Sequence, residues 1–375
     1  MKKKVSNGGI NGSLAALAVD RAITELRRRR VVAIQGDDRT LVLAALELVT
    51  EPLLEQVLSS AGEVVLLLTA ERAQAAGLNG SVVGPAAIAI RDSGELAALR
   101  AHAGLSDDLT SDLSASVWAG SRPLAAAGFA LAKAGRLLPA LVAFEVERFD
   151  DASVASVTLE AINDHAEMAA LRLDLVAETR LPLLAAENTR ITLFRDDHSS
   201  AEHVAIVIGD PEPGAPVPVR MHSACLTGDV LGSLRCDCGE QLRTAIRRIA
   251  ELGAGVLLYL DQEGRGIGLA NKLRAYSIQD AGLDTLDADR HLGFSADERS
   301  YEVAASMLTS LGIERVEIMT NNPEKIAALR EHGIKVAGRL PLVGSTNAHN
   351  EKYLRAKREK AGHLVDEARD SAQNA

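Results

Sequence analysis

The chain has 375 residues, 47% of them hydrophobic and 25% charged, with a formal net charge of −10 at pH 7. At roughly 150 residues per domain this length predicts two domains, and the apolar fraction is ample for two cores. The acidic balance excludes a general nucleic-acid or membrane-surface binder, so any anionic ligand must be held by local arginines and lysines.

The opening Met1-Lys-Lys-Lys4 is basic but has no apolar stretch behind it, so no export signal is expected. Ala18 to Arg27 has the period of an amphipathic helix, followed by a strand over Val31 to Gln35. The four arginines Arg27 to Arg30 read as a solvated helix end, where cations suit the C-terminal dipole, rather than as a nucleic-acid patch. Glu63 to Leu68 reads as a buried strand, and Ala70 to Gln74 opens a further helix. Leu137 to Val146 is apolar but too short to span a bilayer. A long helix is expected over Ala152 to Val176, broken at Arg180-Leu-Pro-Leu183. Arg190 to Phe194 and His203 to Ile208 read as a strand pair, and Gly255 to Leu260 and Val316 to Met319 as buried strands. The fold class expected is α+β: two mixed α/β domains, over 1–176 and 177–375, with a frayed polar tail after residue 363.

The chemistry concentrates in the second half. All three cysteines fall in one fourteen-residue window, as Cys225-x10-Cys236-x-Cys238. Packing cysteines scatter and disulfide scaffolds use even numbers, so three thiolates in one loop suggest zinc with its fourth position open to water. The competing reading is a closed structural site with His222 as the fourth ligand. Arg235 and a helix start near Gly239 would favour the thiolate form. Asp261-Gln-Glu-Gly-Arg-Gly-Ile-Gly268 ends a strand with three glycines around Arg265, a residue able to clamp a phosphate, while Glu263 suits the N–H edge of a purine. The competing reading is a plain strand-to-helix turn. Lys272 and Tyr276 share one helix face at i,i+4 spacing. Asp297-Glu-Arg299, taken alone, reads as acids in the first turn of a helix. Thr320-Asn-Asn-Pro-Glu-Lys325 puts Pro323 at a helix start whose N–H groups and Lys325 face any anion there.

Taken together these motifs resemble GTP cyclohydrolase II, the enzyme that opens riboflavin biosynthesis. The resemblance runs from about Glu178 to His363. Its motifs stand in order: Arg220-Met-His-Ser223, Cys225-Leu-Thr-Gly-Asp229, Ser233-Leu-Arg-Cys-Asp-Cys-Gly239, Gln262-Glu-Gly-Arg265, Leu292-Gly-Phe294 with Asp297-Glu-Arg299, Thr320-Asn-Asn-Pro323, and the closing Asn350-Glu-Lys-Tyr-Leu354 with Gly362-His363. The resemblance implies that Cys225, Cys236 and Cys238 hold one zinc ion, which activates water for attack on C8 of guanine, the carbon leaving as formate. It also implies Asp297 as proton acceptor, Tyr276 at the ring-opening site, and Arg299 as the residue acting on the α-phosphorus with release of pyrophosphate. A guanidinium is essentially always protonated, so clamping the transition state is the easier role for Arg299, and nucleophilic attack is the other. Arg220, Met221, His222, Ser223, Ala224, Gln241, Glu263, Gly264, Arg265, Thr285, Thr320 and Lys325 fall where the family holds the base, ribose and phosphates. Magnesium is expected with the triphosphate. A cytoplasmic homodimer, with no nucleic-acid or membrane partner, completes the expectation. Two positions depart from the family pattern: Ala224 stands where glutamate is common, and Asp261 where arginine is common.

The first half resembles, more loosely, the 3,4-dihydroxy-2-butanone 4-phosphate synthase domain often fused ahead of this enzyme, through Ala22 to Ile34, Asp37-Asp38 and Leu68-Thr-Ala-Glu-Arg72. The family's acidic signature is replaced by Gly36-Asp-Asp-Arg-Thr-Leu-Val-Leu43, and its Gly-His-Thr-Glu stretch is missing around Arg122 to Lys133. Without carboxylates for magnesium and a histidine for proton transfer, this half is expected to be non-catalytic, kept for dimerisation or to stabilise the second half. Three other readings of the whole chain are a paralogue that opens the imidazole ring but keeps the formyl group or the pyrophosphate, a homologue in pyrimidine catabolism, and a nucleotide-binding regulator without turnover.

Overall fold

The computed structural model describes residues 14–77, 84–105, 115–168, 173–196, 201–342 and 350. Their helices are α1 (Leu14–Arg27), α2 (Glu51–Ser60), α3 (Ala70–Ala75), α4 (Leu96–His102), α5 (Arg122–Ala134), α6 (Leu159–Met168), α7 (Cys238–Glu251), α8 (Leu269–Asp280), α9 (Thr285–His291), α10 (Glu302–Ser310) and α11 (Pro323–Glu331). They accompany two seven-stranded sheets, so both halves are mixed α/β as expected.

The chain divides into two compact units. The first comprises 1–168 together with 270–283 and 287–298; the second comprises 169–269, 284–286 and 299–375. Most of α8 and α9, sequence neighbours of the second-half motifs, therefore belongs to the first unit.

In the first unit the strands are β1 (Val32–Gln35), β2 (Thr40–Ala45), β3 (Val64–Leu68), β4 (Ala86–Ile90), β5 (Ala115–Val117), β6 (Ala140–Val146) and β7 (Ala155–Thr158), in the order β5-β4-β3-β6-β2-β1-β7. The apolar run noted before Val146 is the central strand β6, buried between β2 and β3. Val19, Ala22 and Leu26 of α1 and Leu124, Ala125 and Leu131 of α5 pack on this sheet with Ile34, Leu41, Leu43 and Leu141. Helix α1 ends at Arg27 and Arg27 to Arg30 are exposed, as a solvated helix end requires.

The expected long helix over Ala152 to Val176 does not form. Asp151 caps a turn by accepting from the Ser153 N–H at 2.9 Å, and the β-branched Val-Ala-Ser-Val-Thr run becomes β7, paired in parallel with β1 from Val32↔Ala155 to Gln35↔Thr158. Thr158 then accepts from the Ala161 N–H at 3.1 Å and starts α6, only ten residues long. Residues from Leu173 onward pair with a neighbouring strand instead of extending the helix. Non-local strand pairing overrides local helical periodicity at both ends.

One core residue is unusual. Arg72, in α3, is 1% exposed, and burial brings its guanidinium down to about 10. It donates to the carbonyls of His102 at 2.6 Å, His291 at 2.8 Å and Ala101 at 3.3 Å, so the C-terminal ends of α4 and α9 meet at one buried cation. Replacing it by Met would remove the guanidinium from three carbonyls, of which Ala101 keeps the Gly104 N–H at 3.0 Å, at a cost of about 3 kcal/mol. The expected result for Arg72→Met is a melting temperature lowered by roughly 10 °C in a thermal melt followed by circular dichroism.

The second unit contains β8 (Leu173–Arg180), β9 (Thr189–Asp196), β10 (Glu202–Ile208), β11 (Val217–Ser223), β12 (Gly255–Leu260), β13 (Arg315–Met319) and β14 (Lys335–Leu340). Their order is β14-β13-β11-β12-β10-β9-β8. The pairs β11/β12, β11/β13 and β13/β14 are parallel, whereas β10 is antiparallel to both β9 and β12. Parallel pairing has one decisive consequence. It brings the carboxyl ends of β11, β12 and β13 to the same edge of the sheet, where ligands gather in layered α/β proteins.

Candidate active site

Each of those three strand ends delivers one of the motifs singled out in the sequence. After β11 comes the cysteine loop, after β12 the Asp261–Gly268 loop, and after β13 the Thr320–Lys325 helix start. Backbone and side-chain bonds knit the loops together. The Ala224 N–H donates to the Leu260 carbonyl at 2.8 Å, and the Leu226 N–H to Glu263 Oε2 at 2.6 Å. The Gln262 side chain donates to the Ser300 carbonyl at 2.7 Å.

The cysteine ligand atoms lie within 4.8 Å of one another, and Cys225 Sγ is 3.7 Å from Cys236 Sγ. Tetrahedral zinc with Zn–S bonds of about 2.3 Å puts its sulfurs about 3.8 Å apart, so the donors fit that ion. Among the described residues, this is the one such grouping of potential ligands. The Cys236 thiol is pushed up chiefly by the adjacent Cys225, a mutual opposition that a bound cation relieves. Gly228 makes room for the cluster: a Cβ there would meet Cys236 Sγ at 2.7 Å and Cys225 Sγ at 3.0 Å. Its N–H donates to Cys225 Sγ at 3.3 Å, an interaction that favours thiolate.

His222 is not part of this grouping, which weighs against the closed four-ligand alternative. Its Nε2 lies 3.1 Å from both carboxylate oxygens of Asp229, and both side chains are only 3% exposed. Burial, first, holds the His222 pKa below its ordinary value, partly opposed by the bond to Asp229. Asp229 also accepts from the Cys225 N–H at 3.0 Å and from the Tyr259 hydroxyl at 3.0 Å, and the Tyr259 ring stacks on His222. Asp229 is thus the anchor of the cysteine loop, with Tyr259 as its support. Neither was among the residues the sequence singled out for the site; the one signal was Asp229 closing the Cys-Leu-Thr-Gly-Asp motif.

Three cations gather on the same edge. Arg220 donates to the Met319 carbonyl at 2.9 Å and to Gln241 Oε1 at 2.6 Å. Burial, first, brings its guanidinium down to about 10, with nearby Arg299 adding to the effect and Asp237 opposing it. The Arg299 guanidinium carbon lies 5.3 Å from the Tyr301 ring centre, and Lys325 Nζ lies 5.9 Å from the same ring. Lys325 also donates to the Met221 carbonyl at 2.9 Å. In a protein of net charge −10 this is a local positive field. Arg220 Nε, His222 Nδ1, Ser223 Oγ and Gln262 Oε1 are buried there without a hydrogen-bond partner among the described residues, and a polar ligand at the strand ends is one way to satisfy such atoms.

Other residues named from the sequence fall as follows. Met221 is buried in the core of the second sheet. Glu263, read as a base-recognition residue, spends one oxygen on the Leu226 N–H and the other on the Gly264 N–H at 3.2 Å, so it closes the loop. Arg265 sits at φ 62, a strained conformation for a residue with a side chain, costing on the order of 1 kcal/mol. Gln241 links Arg220 to Asp237 at the start of α7. Thr320 is buried and accepts from the Asn322 N–H at 3.0 Å; Asn322 caps α11 by accepting from Glu324, with Pro323 in the first turn as expected. Thr285 opens α9, in the second unit. Asp261 and Ala224 are both partly buried, and the Asp261 N–H donates to His203 Nδ1 at 3.1 Å.

Tyr276 and Asp297 belong to the first unit. Lys272 Nζ lies 5.7 Å from the Tyr276 ring centre, so the expected shared helix face is present on α8. Asp297-Glu-Arg299 is not the first turn of a helix; it lies in the loop before α10. Ser295 takes up the local hydrogen bonding instead, its N–H donating to Glu298 at 2.7 Å and its hydroxyl to the Asp297 carbonyl at 3.0 Å. Of the closing motif, residues 351–363 lie outside the described residues.

Comparison with known proteins bears on the family of the chain. The sequence model of the family described as GTP cyclohydrolase II matches residues 174–341. The chain is 45% identical over 368 residues to a protein named GTP cyclohydrolase-2 from Azospirillum brasilense, covering 93% of this chain and 94% of that one. It is 54% identical over 181 residues to a protein of the same name from Shewanella amazonensis, which accounts for 48% of this chain and 88% of that one. A crystal structure of a two-domain 3,4-dihydroxy-2-butanone 4-phosphate synthase from A. baumannii covers 87% of this chain at 16% identity, with a TM-score of 0.31 that bears on neither fold nor function.

Proposed function

The chain belongs to the GTP cyclohydrolase II family, hydrolases of riboflavin biosynthesis, and on that premise we propose how its own residues divide the reaction on GTP. The observation that carries the assignment is the cysteine triplet at zinc-compatible spacing on the same sheet edge as Arg220, Arg299 and Lys325. Cys225, Cys236 and Cys238 would hold zinc, which when bound supplies Lewis-acid activation of water for opening the guanine imidazole ring and releasing formate.

The remaining roles belong to the chain itself. Arg220, Arg265, Lys325 and Arg299 supply the positive charge that a triphosphate needs, with magnesium accompanying it. Gln241, Glu263, Gly264, Thr285, Thr320 and the 221–224 segment shape the surroundings of base and ribose. Asp297 accepts a proton, Tyr276 serves the ring-opening step, and Arg299 stabilises charge on the α-phosphoryl group as pyrophosphate departs. The product is 2,5-diamino-6-(5-phosphoribosylamino)pyrimidin-4(3H)-one.

The first half is proposed to be non-catalytic. Its Gly36 to Leu43 segment lacks the acidic signature of the butanone-phosphate synthases, and the A. brasilense relative aligns over nearly its whole length under the single name GTP cyclohydrolase-2. Homodimerisation and a cytoplasmic setting are part of the same proposal; no helix among the described residues is long and apolar enough to cross a membrane.

Mass spectrometry of the products tests the reading. Metal-loaded protein incubated with GTP and magnesium is expected to release formate and pyrophosphate in equal amounts. A formylated or triphosphorylated product would overturn the complete reaction and direct attention to Asp261 and Ala224.

A further inference from the structure

The two site residues of the first unit ride on segments that the N-terminal half grips at several points. On α8, Arg274 pairs with Glu47, and the Asn271 amide donates to the Arg136 carbonyl at 3.3 Å. After α9, the Thr69 hydroxyl donates to the Gly293 carbonyl at 2.9 Å, while Arg72 holds the His291 carbonyl. Gly293 is left-handed at φ +85, and a Cβ there would meet Thr69 Oγ1 at 2.9 Å, so only glycine allows the approach. Leu292 and Phe294 on either side are buried.

One grip falls inside the Asp-Glu-Arg triplet itself. Lys133, in the last turn of α5, donates to Glu298 Oε1 at 2.7 Å, and its ammonium lies 5.9 Å from the Phe294 ring centre. The same carboxylate accepts the Ser295 N–H, closing the turn from Ser295 to Glu298 that contains Asp297. Burial pushes the Glu298 carboxyl up, but Lys133 and Ser295 outweigh it and hold the group below its ordinary value. The pair is partly shielded, with side chains 29% and 19% exposed, which gives it more weight than a fully solvated ion pair.

We propose that the N-terminal half is a positioning element for the second half's reaction, in which Lys133, acting through Glu298, sets the turn that presents Asp297. Lys133 and Glu298 are thus positioning residues, and the non-catalytic half has a defined mechanical task. The inference rests on the reading of Asp297 as a proton acceptor. A catalytic group displaced by a fraction of an ångström to 1 Å loses rate rather than substrate affinity, so the effect belongs in kcat.

The test compares full-length wild type, Lys133→Met and Lys133→Arg, all zinc-loaded, in steady-state GTP turnover and in hydrogen–deuterium exchange of the 292–299 segment. Lys133→Met is expected to lower kcat about tenfold to a hundredfold, with KM, zinc content and melting temperature near wild type and faster exchange in 292–299. Lys133→Arg, which keeps the charge, is expected to restore most of both. Unchanged kcat and exchange in Lys133→Met, with an active wild type, would overturn the inference alone. So would a loss that follows a general fall in melting temperature and is not recovered by arginine. A wild-type chain that releases no formate from GTP would overturn the Asp297 reading, and the inference with it.

Discussion

Cys225→Ser is expected to lose both its zinc and its turnover. Serine keeps the size but not the soft, readily ionised sulfur, and two remaining thiolates do not make a zinc site of useful affinity. Losing Lewis-acid activation of water removes about 4 kcal/mol of transition-state stabilisation, equivalent to about a thousandfold in rate. Metal analysis after dialysis should give less than one-tenth of an equivalent of zinc per chain, against one for wild type. The fold should survive, because the loop is anchored independently by Asp229, which holds the Cys225 N–H, His222 and Tyr259. Near-native circular dichroism with no metal is therefore part of the expected result, and unfolding of the variant would assign the site a structural role instead. Gly228→Ala extends the test without touching a ligand. Its added methyl would collide with the sulfurs of Cys236 and Cys225, so zinc content should fall although all three thiols remain.

The second large effect is expected at Arg299. On the role proposed for it, Arg299→Gln removes a fixed positive charge from the departing phosphates, and kcat should fall by about a thousandfold, the scale seen where an arginine stabilises phosphoryl-transfer charge. Zinc content should not change, since the grouped candidate ligands are the three cysteines and Arg299 is not one of them. Arg299→Lys should recover only a minor part, because lysine has no planar fork for bidentate contact. Pyrophosphate release under saturating GTP is the measurement. Intact mass after an alkaline quench, which preserves a P–N bond, separates the two chemical roles. Clamping predicts no covalent nucleotide on the wild-type chain, and a trapped adduct at Arg299 would make it the nucleophile. Arg220 and Lys325, which share the strand-end edge with Arg299, are already bonded to the Met319 and Met221 carbonyls, so neither is expected to substitute for it.

Much of the catalytic half was legible because its signals are local. Ligand spacing within Cys225 to Cys238, a proline at the start of α11 and glycines around Arg265 are consequences of short-range geometry, and each stands in the structure where the sequence implied. The buried strands β3, β12 and β13 were equally legible, since a run of apolar residues bounded by turn formers has few alternatives.

What local patterns could not reach was decided by contacts between residues distant in sequence. The Val154 to Thr158 run follows its pairing with β1 rather than the helical period around it. Arg72 looks like a surface helix residue until the ends of α4 and α9 supply the carbonyls that allow a cation to be buried. Asp229 becomes the anchor of the cysteine loop only when β11 and β12 lie side by side and bring His222 and Tyr259 to it. The sequence by itself determined the cysteine triplet, the family and the order of the strand-end motifs. Tertiary structure alone decided that the parallel strands gather those motifs on one edge, and that the segments carrying Tyr276 and Asp297 are held by the N-terminal half. The physical reason is that spacing along a chain dictates which groups can share a loop, whereas burial and hydrogen-bond satisfaction are settled only when distant segments meet.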